Sequence, residues 1–484
     1  MLFTRLCVCA VIATAGTATA SRAIPSPHVA ASTAHALAQL EGTWFGVADR
    51  FPDAGPPVSL RLRVYGVSGD SVRLDLTIAE SRQIALAIPS PYSDSSYATL
   101  RGDSLHVEFT PDIGLAFISR LVPSDSERIV FAGLVRGDSI TGRFRITSYE
   151  SPITLRRLGA SETANAAPVF FHSSQDSLRL GGTLILPRGR GPFPAVVFVT
   201  GSDPDTREAW QVEGRSLAAR GVAALVYDKR GVGESRGASH DLASWDDLAG
   251  DVEGAVAYLR SRTDVIDARR IGLIGQSQGT WMTTKVAARD PRIAFLVNIS
   301  GGAMSGAEQE TYRTGALMGR DGFSAAEIAR AQAFQRQKFA VARTGLGWAQ
   351  LEAEMQRLRA DSVRWFPGYG TGAATRTLAA LRLYGVLQFN YDPRRDLVGI
   401  QAPTLVIMGE NDVVFPPDTV VARMRDALAR GGNHQVTTRI LPGTGHGMGV
   451  RQSVAGRPFR YVISEAFIEV LAEWVAREVG RQSS

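Results

Sequence analysis

Ser277, Asp412 and His446 are three side chains of different chemistry, each set among glycines. Ser277 lies in Gly275-Gln276-Ser277-Gln278-Gly279, Asp412 in Gly409-Glu410-Asn411-Asp412, and His446 in Gly443-Thr444-Gly445-His446-Gly447. A serine hydroxyl is a poor nucleophile at neutral pH and needs a base to take its proton. An imidazole is such a base, and a carboxylate accepting from its second ring nitrogen fixes the tautomer and stabilises the imidazolium. Together these residues would carry out nucleophilic attack on an acyl carbonyl. Glu410 and Asp418 are alternative acids, and His240 and His434 are alternative bases. His28, His35, His106 and His172 all precede the segments that surround Ser277.

The elements that must carry these residues show as apolar runs. Arg270–Ile274 reads as a buried strand and the residues through Val286 as a helix, so Ser277 sits on a strand–turn–helix elbow. A nucleophile on so tight a turn takes strained backbone angles. Gly275 and Gly279 remove side chains that would strike adjacent backbone. The helix N-terminus directs N–H groups and the positive dipole end at the site. Asp412 follows the run Thr404–Met408, and His446 follows Val436–Leu441. With Ala195–Thr200, Val222–Asp228 and Ala294–Ile299, these are short continuous apolar runs, mostly separated by helical stretches. That pattern predicts a mostly parallel α/β sheet covered on both faces. Two strand-like runs, Val169–His172 and Thr183–Leu186, come first. Between about Ala303 and Gly399 the alternation stops and the chain reads as helical. Ser324-Ala325-Ala326-Glu327 is a capping box, and Ile328, Phe334, Phe339, Leu351, Met355 and Leu358 are spaced as apolar helix faces. A helical cap beside the site is expected there.

On these motifs, residues from about Val169 to Ser484 resemble an α/β-hydrolase, of the branch that holds esterases, dienelactone-hydrolase-like and serine-aminopeptidase-like proteins. The order Ser, Asp, His along the chain is the family's. The string Tyr227-Asp228-Lys229-Arg230-Gly231-Val232-Gly233-Glu234-Ser235 adds to the resemblance. In similar proteins it follows a core strand and shapes the loop beside the site, and Asp228 and Arg230 are read here first as structural and second as substrate contacts. The resemblance implies two backbone donors for a tetrahedral oxyanion. One is the N–H of Gln278. The other comes from Thr200-Gly201-Ser202-Asp203-Pro204 and is assigned to Ser202, with Gly201 allowing close approach. Thr200 stands where related enzymes often carry His.

The implied activity is that of a serine hydrolase, first a carboxylesterase, acting on a small-molecule ester with no cofactor. A peptidase of the prolyl-oligopeptidase or aminopeptidase kind often has a second glycine after the elbow, where this chain has Thr280. An aminopeptidase also needs a carboxylate cluster for the substrate amine, which the sequence does not display. A thioesterase would use the same site. A binding protein with an inert hydrolase fold is the reading from another class, and the complete Ser–Asp–His set argues against it. Trp210, Trp281, Trp348, Trp365 and Phe366 are read first as core and second as pocket lining.

The first third of the chain is different. Residues 1–20 read as a signal peptide, with Arg5 in the n-region, an apolar run Leu6–Ala15 and an Ala18-Thr19-Ala20 cleavage pattern. The run is shorter than the ~20 residues a spanning helix needs, so no membrane span is expected after cleavage. A periplasmic or secreted location follows. Residues 40–158 alternate with period two, as in Val72, Leu74, Leu76 and Ile78, and again in Leu105, Val107 and Phe109. Gly-Asp-Ser recurs at Gly69, Gly102 and Gly137, each suited to a II′ hairpin. A small antiparallel barrel or sandwich is expected, and Glu41-Gly42-Thr43-Trp44 resembles the opening of a lipocalin-like barrel. Residues 159–168 read as a linker to a catalytic domain over 169–484, with the cap at about 303–399.

Composition closes off other classes. The 484 residues carry a formal charge of +6, but the 53 basic and 47 acidic residues are interspersed, so no nucleic-acid partner is expected. Cys7 and Cys9 are the two cysteines, and both lie in the signal peptide. No thiol nucleophile, disulfide or metal site is therefore expected, and no H-E-x-x-H occurs. Gly231 and Gly233 mimic a dinucleotide fingerprint, but Arg236 occupies its sixth position, which excludes NAD.

Overall fold

The computed structural model describes residues 40–48, 58–68, 71–80, 83–89, 97–109, 129–146, 149–158, 165–203, 205–235, 237, 240–370, 375–385, 389–454 and 457–481. The expected signal peptide, the turn at Gly69 and residues 159–164 of the expected linker lie outside them.

The period-two segment forms nine antiparallel strands among the described residues. They are β1 (Gly42–Ala48), β2 (Val58–Ser68), β3 (Ser71–Glu80), β4 (Gln83–Pro89), β5 (Tyr97–Arg101), β6 (Ser104–Phe109), β7 (Ile129–Arg136), β8 (Ser139–Ile146) and β9 (Tyr149–Arg157). Their order is β2-β1-β9-β8-β7-β6-β5-β3-β4, and β2 also pairs with β3. The single sheet thus curls back toward itself, the barrel-like of the two expected forms. Leu62, Leu74, Leu105, Val107, Phe131 and Phe144 fill its interior. Trp44 is fully buried, and its indole N–H donates to the Leu40 carbonyl at 2.9 Å. That bond lets a large apolar ring sit inside without an orphaned donor. Gly102 and Gly137 open the β5–β6 and β7–β8 turns with φ of +58° and +57°, as the recurring Gly-Asp-Ser predicts.

The second sheet contains β10 (Ala166–His172), β11 (Arg179–Ile185), β12 (Phe193–Val199), β13 (Ala223–Tyr227), β14 (Ile266–Gln276), β15 (Leu296–Ile299), β16 (Thr404–Gly409) and β17 (Val436–Leu441). Its order is β10-β11-β13-β12-β14-β15-β16-β17. All pairings from β13 through β17 are parallel, and β11 pairs antiparallel with β10 and β13. β10 starts at Ala166, so the last three residues of the expected linker belong to a strand. Pro168 is tolerated there because β10 is an edge strand.

Helices cover both faces. They are α1 (Gln211–Ala218), α2 (Trp245–Ser261), α3 (Gln278–Arg289), α4 (Gly306–Arg320), α5 (Ala325–Thr344), α6 (Trp348–Ala360), α7 (Phe366–Tyr369), α8 (Leu378–Tyr384), α9 (Arg394–Leu397), α10 (Pro417–Arg430) and α11 (Glu465–Arg481). Within β12, Ala195, Val197 and Val199 pack with α2, α3 and α10, while Val196 and Phe198 pack on the side of α1 and α11. A strand buried on both faces has no polar side to display, hence its continuous apolar sequence. Helices α4 to α9 fall between β15 and β16, where the cap is expected. They hold a core of their own, including Met318, Phe334, Leu351, Met355, Trp365 and Phe366. Trp365 and Phe366 are therefore core residues, as is Trp210, which stacks on Phe198. The capping box at Ser324 is formed in full. A hairpin of β18 (Gly449–Val454) and β19 (Arg457–Ile463), not foreseen from the sequence, follows the His446 loop.

Candidate active site

Parallel strands end at the same edge of the sheet, and the candidate residues lie just past those ends. Gly201 and Ser202 follow β12, Lys229 follows β13, Ser277 follows β14, Asp412 follows β16 and His446 follows β17. This is the edge at which open α/β sheets place their sites.

Ser277 directly precedes α3 with φ of +53° and ψ of −119°. For a residue with a Cβ this is strained backbone, held by surrounding structure. Its N–H donates to the Ile299 carbonyl at 2.9 Å, and its carbonyl accepts from the Thr280 N–H at 3.0 Å. The flanking glycines are required by space. A Cβ on Gly275 would lie 2.6 Å from the Gly279 carbonyl oxygen, and one on Gly279 would lie 2.3 Å from that of Val199.

The structure brings together the three residues singled out in the sequence. His446 Nε2 lies 2.9 Å from Ser277 Oγ, and His446 Nδ1 lies 2.9 Å from Asp412 Oδ2. A carboxylate only accepts, so Nδ1 carries the proton and Nε2 presents its lone pair to the serine hydroxyl. The other carboxylate oxygen of the buried Asp412 accepts from the N–H groups of Val414 and Phe415 at 2.7 and 2.9 Å. The Phe415 ring stacks on the imidazole at 5.9 Å between centroids. Tyr312, from the first cap helix, donates its hydroxyl to the Asp412 carbonyl at 3.2 Å, so the cap docks on the loop that carries the acid. Burial, then the charge of Asp412, pushes the Tyr312 phenol pKa up.

The alternatives are placed elsewhere. Glu410 accepts from the Gly443 N–H, and Asp418 lies in the first turn of α10. His434 is exposed, and His240 is buried against the Ser202 carbonyl. Of the expected oxyanion donors, Gln278 is the first residue of α3 and directly follows Ser277. Ser202 sits exposed in the loop after β12. Its neighbour Gly201 closely approaches Ser277, since a Cβ there would lie 3.3 Å from Ser277 Cβ. Sequence reasoning missed Lys229, Phe415 and Tyr312. Lys229 is buried and donates to the carbonyls of Gly201 and Asp203 and to Gln278 Oε1. Burial and the charge of Asp203 push nearby Asp205 up to about 7, against the pull of Lys229.

Asp228 and Arg230, read as structural, are so placed. Arg230 pairs with Asp251 through Nε at 2.8 Å and Nη2 at 2.6 Å. Asp228 accepts from the Arg207 N–H at 2.9 Å, from its Nε at 2.8 Å, and from its Nη2. Burial opposes ionisation of Asp228, but the Arg207 guanidinium holds its carboxyl below the usual carboxylate range. Glu234 also meets this guanidinium at 3.0 Å and ties it to Arg63 of the curled sheet at 2.8 Å. Replacing Arg207 with leucine leaves a buried carboxylate uncompensated and is expected to cost about 3–5 kcal/mol of stability. Denaturant unfolding checks this, and a loss below about 1 kcal/mol, typical of an exposed pair, would refute it.

A mostly parallel sheet, a serine on the elbow before α3 and a helical insertion ahead of β16 define the α/β-hydrolase class. Residues 196–458 match the alpha/beta hydrolase family, and the chain belongs to it. Over 119 residues it is 33% identical to the 2,6-dihydropseudooxynicotine hydrolase of Paenarthrobacter nicotinovorans, covering 24% of this chain and 30% of that protein. Over 188 residues it is 28% identical to esterase EstD of Thermotoga maritima, covering 37% of this chain and 41% of that one. The chain thus spans less than half the length of either relative. A solved esterase of Pyrococcus furiosus is 15% identical over 67% of this chain and 94% of its own, with a TM-score of 0.42. Among the described residues no helix is long and apolar enough to cross a membrane.

Proposed function

We propose that this chain is an exported serine hydrolase that cleaves small-molecule carboxylic esters through an acyl-enzyme. The observation that carries the reading is the relay of two 2.9 Å contacts running from Ser277 Oγ through His446 to Asp412. Ser277 Oγ attacks the ester carbonyl as its proton passes to His446 Nε2. Negative charge then develops on the carbonyl oxygen, where the N–H groups of Gln278 and Ser202 stabilise it. The intermediate collapses, the C–O bond to the alcohol breaks, and His446 returns the proton to the leaving alkoxide. A water then gives its proton to His446 and attacks the acyl-enzyme, and the acid leaves as Ser277 is reprotonated. Asp412 stays ionised and stabilises the imidazolium in both halves. The relatives named as a hydrolase and an esterase support this reading of the reaction class. The pattern of Arg5, Leu6–Ala15 and Ala18-Thr19-Ala20 supports export to the periplasm or beyond.

A fluorophosphonate probe should label the protein at Ser277, as located by peptide mapping. p-Nitrophenyl esters of graded acyl length should turn over faster than p-nitroanilide peptides or acyl thioesters. Faster anilide cleavage would move the protein to the peptidases, and labelling at another residue would remove the assigned nucleophile.

A further inference from the structure

Lys229 lies in the string after β13, and its ammonium meets the loop after β12 and the start of α3. Its Nζ donates to the Gly201 carbonyl, to that of Asp203 at 3.3 Å and to Gln278 Oε1 at 3.1 Å. His240 Nε2 lies 3.0 Å from the carbonyl between them, that of Ser202. A carbonyl only accepts, so Nε2 carries the proton and donates. The carbonyls of Gly201, Ser202 and Asp203 are thus each held by a side chain brought from elsewhere in the fold.

The direction of those bonds matters more than their number. The peptide joining Gly201 to Ser202 is planar and trans. Its N–H therefore points opposite to its C=O. With the Gly201 carbonyl on the Lys229 ammonium, the Ser202 N–H faces away from Lys229. His240 fixes the next peptide plane in the same way, which stops the loop from cranking about Ser202. The loop needs such support, since it begins with Gly201 and runs in the open beside Ser277, and each loose residue retains about 1–2 kcal/mol of backbone entropy. An ammonium suits the task because it has three donors and makes charge-assisted bonds. Lys229 is itself fixed, since its neighbours Asp228 and Arg230 are locked in ion pairs with Arg207 and Asp251.

We propose that Lys229 is a positioning residue for the oxyanion hole, aiming the Ser202 N–H and bracing the Gln278 segment from behind, with His240 holding the adjoining peptide. The inference rests on the serine-hydrolase reading above. In Lys229→Met of the full chain, kcat for a p-nitrophenyl ester should fall about 10- to 100-fold, a part of the 10²–10³ that losing a whole donor costs. KM should stay within about 2-fold, because the interaction lost is one made in the transition state. Affinity for a trifluoromethyl ketone, whose adduct mimics the tetrahedral oxyanion, should fall by the same factor as kcat. An unchanged kcat, a rise in KM alone, or unchanged ketone affinity would overturn the inference.

If Lys229→Met lacks a cooperative melt, His240 decides. His240→Leu should lower kcat and ketone affinity together, and His240→Gln, which keeps an N–H donor, should restore both. Equal effects of the two variants, or none from either, would overturn the inference. A wild-type chain that neither labels at Ser277 nor hydrolyses esters sinks the functional reading instead, so the two failures are distinguishable.

Discussion

Ser277→Ala should lower kcat for ester hydrolysis by about 10⁶-fold, the scale reached when the nucleophile of such a set is removed. The size follows from what the substitution takes away. Without Oγ no covalent intermediate forms, and His446 has no hydroxyl to deprotonate. What stays is the pocket and the backbone donors near Gln278 and Ser202, which alone leave about 10³–10⁴-fold catalysis over water. The change is also gentle on the fold. The φ of +53° at this position is as strained for serine as for alanine, and the bonds to Ile299 and Thr280 are made by the main chain. The melting temperature and the affinity for a substrate analogue should therefore barely move while turnover disappears. Steady-state kinetics beside a thermal melt checks both, and near-wild-type turnover in a well-folded variant would place the nucleophile elsewhere.

The sequence exposed the site more fully than its supports, for a physical reason. Ser277, Asp412 and His446 each follow a run of apolar residues and sit among glycines. A strand buried on both faces and a tight turn beside a reacting atom leave such marks in the residues themselves. The roles of Lys229 and His240 leave no local mark. Each is defined by carbonyls of residues 201–203, and a carbonyl belongs to every residue type. In the sequence His240 reads only as a spare base, and the fold sets it against the Ser202 carbonyl. Phe415 and Tyr312 are similar cases, since an aromatic beside an imidazole and a cap tyrosine on the acid loop depend on segments far apart in the chain. The β18–β19 hairpin was illegible because Arg451, Gln452, Arg457 and Arg460 break any clear apolar alternation. Ala166-Ala167-Pro168 has a loop's composition and reads as linker, whereas an edge position makes it the start of β10.

The curled sheet is tied by ion pairs to the loop after β13. Arg63 of β2 meets Glu234, which shares the Arg207 guanidinium with Asp228, the residue before Lys229. The two sheets are thereby joined by ionic contacts within one residue of the side chain that braces the loop beside Ser277.

Asp412→Asn should lower kcat by about 10⁴-fold, as expected when the orienting carboxylate becomes an amide and the imidazole takes the wrong tautomer. The geometry sets out the sequence of events. Asp412 Oδ1 accepts from the Val414 and Phe415 N–H groups, and Oδ2 accepts from His446 Nδ1. An asparagine keeps its carbonyl oxygen on the two main-chain donors, because its NH2 group cannot accept there. The amide NH2 must then face His446 Nδ1. Two donors cannot share a hydrogen bond, so Nδ1 gives up its proton and accepts, and the proton moves to Nε2. Nε2 then meets Ser277 Oγ as a donor and can no longer take the serine proton. Asp412→Ala lacks this inversion. It removes the orienting charge but leaves both tautomers available, so it should retain more activity than the nearly isosteric Asn variant, even though it opens a cavity and loses the two main-chain bonds. Kinetics on the pair, with the imidazole ring nitrogens followed by NMR, tests the ordering. An Asn variant as active as wild type, or an imidazole still protonated at Nδ1 in that variant, would mean that Asp412 does not set the state of His446.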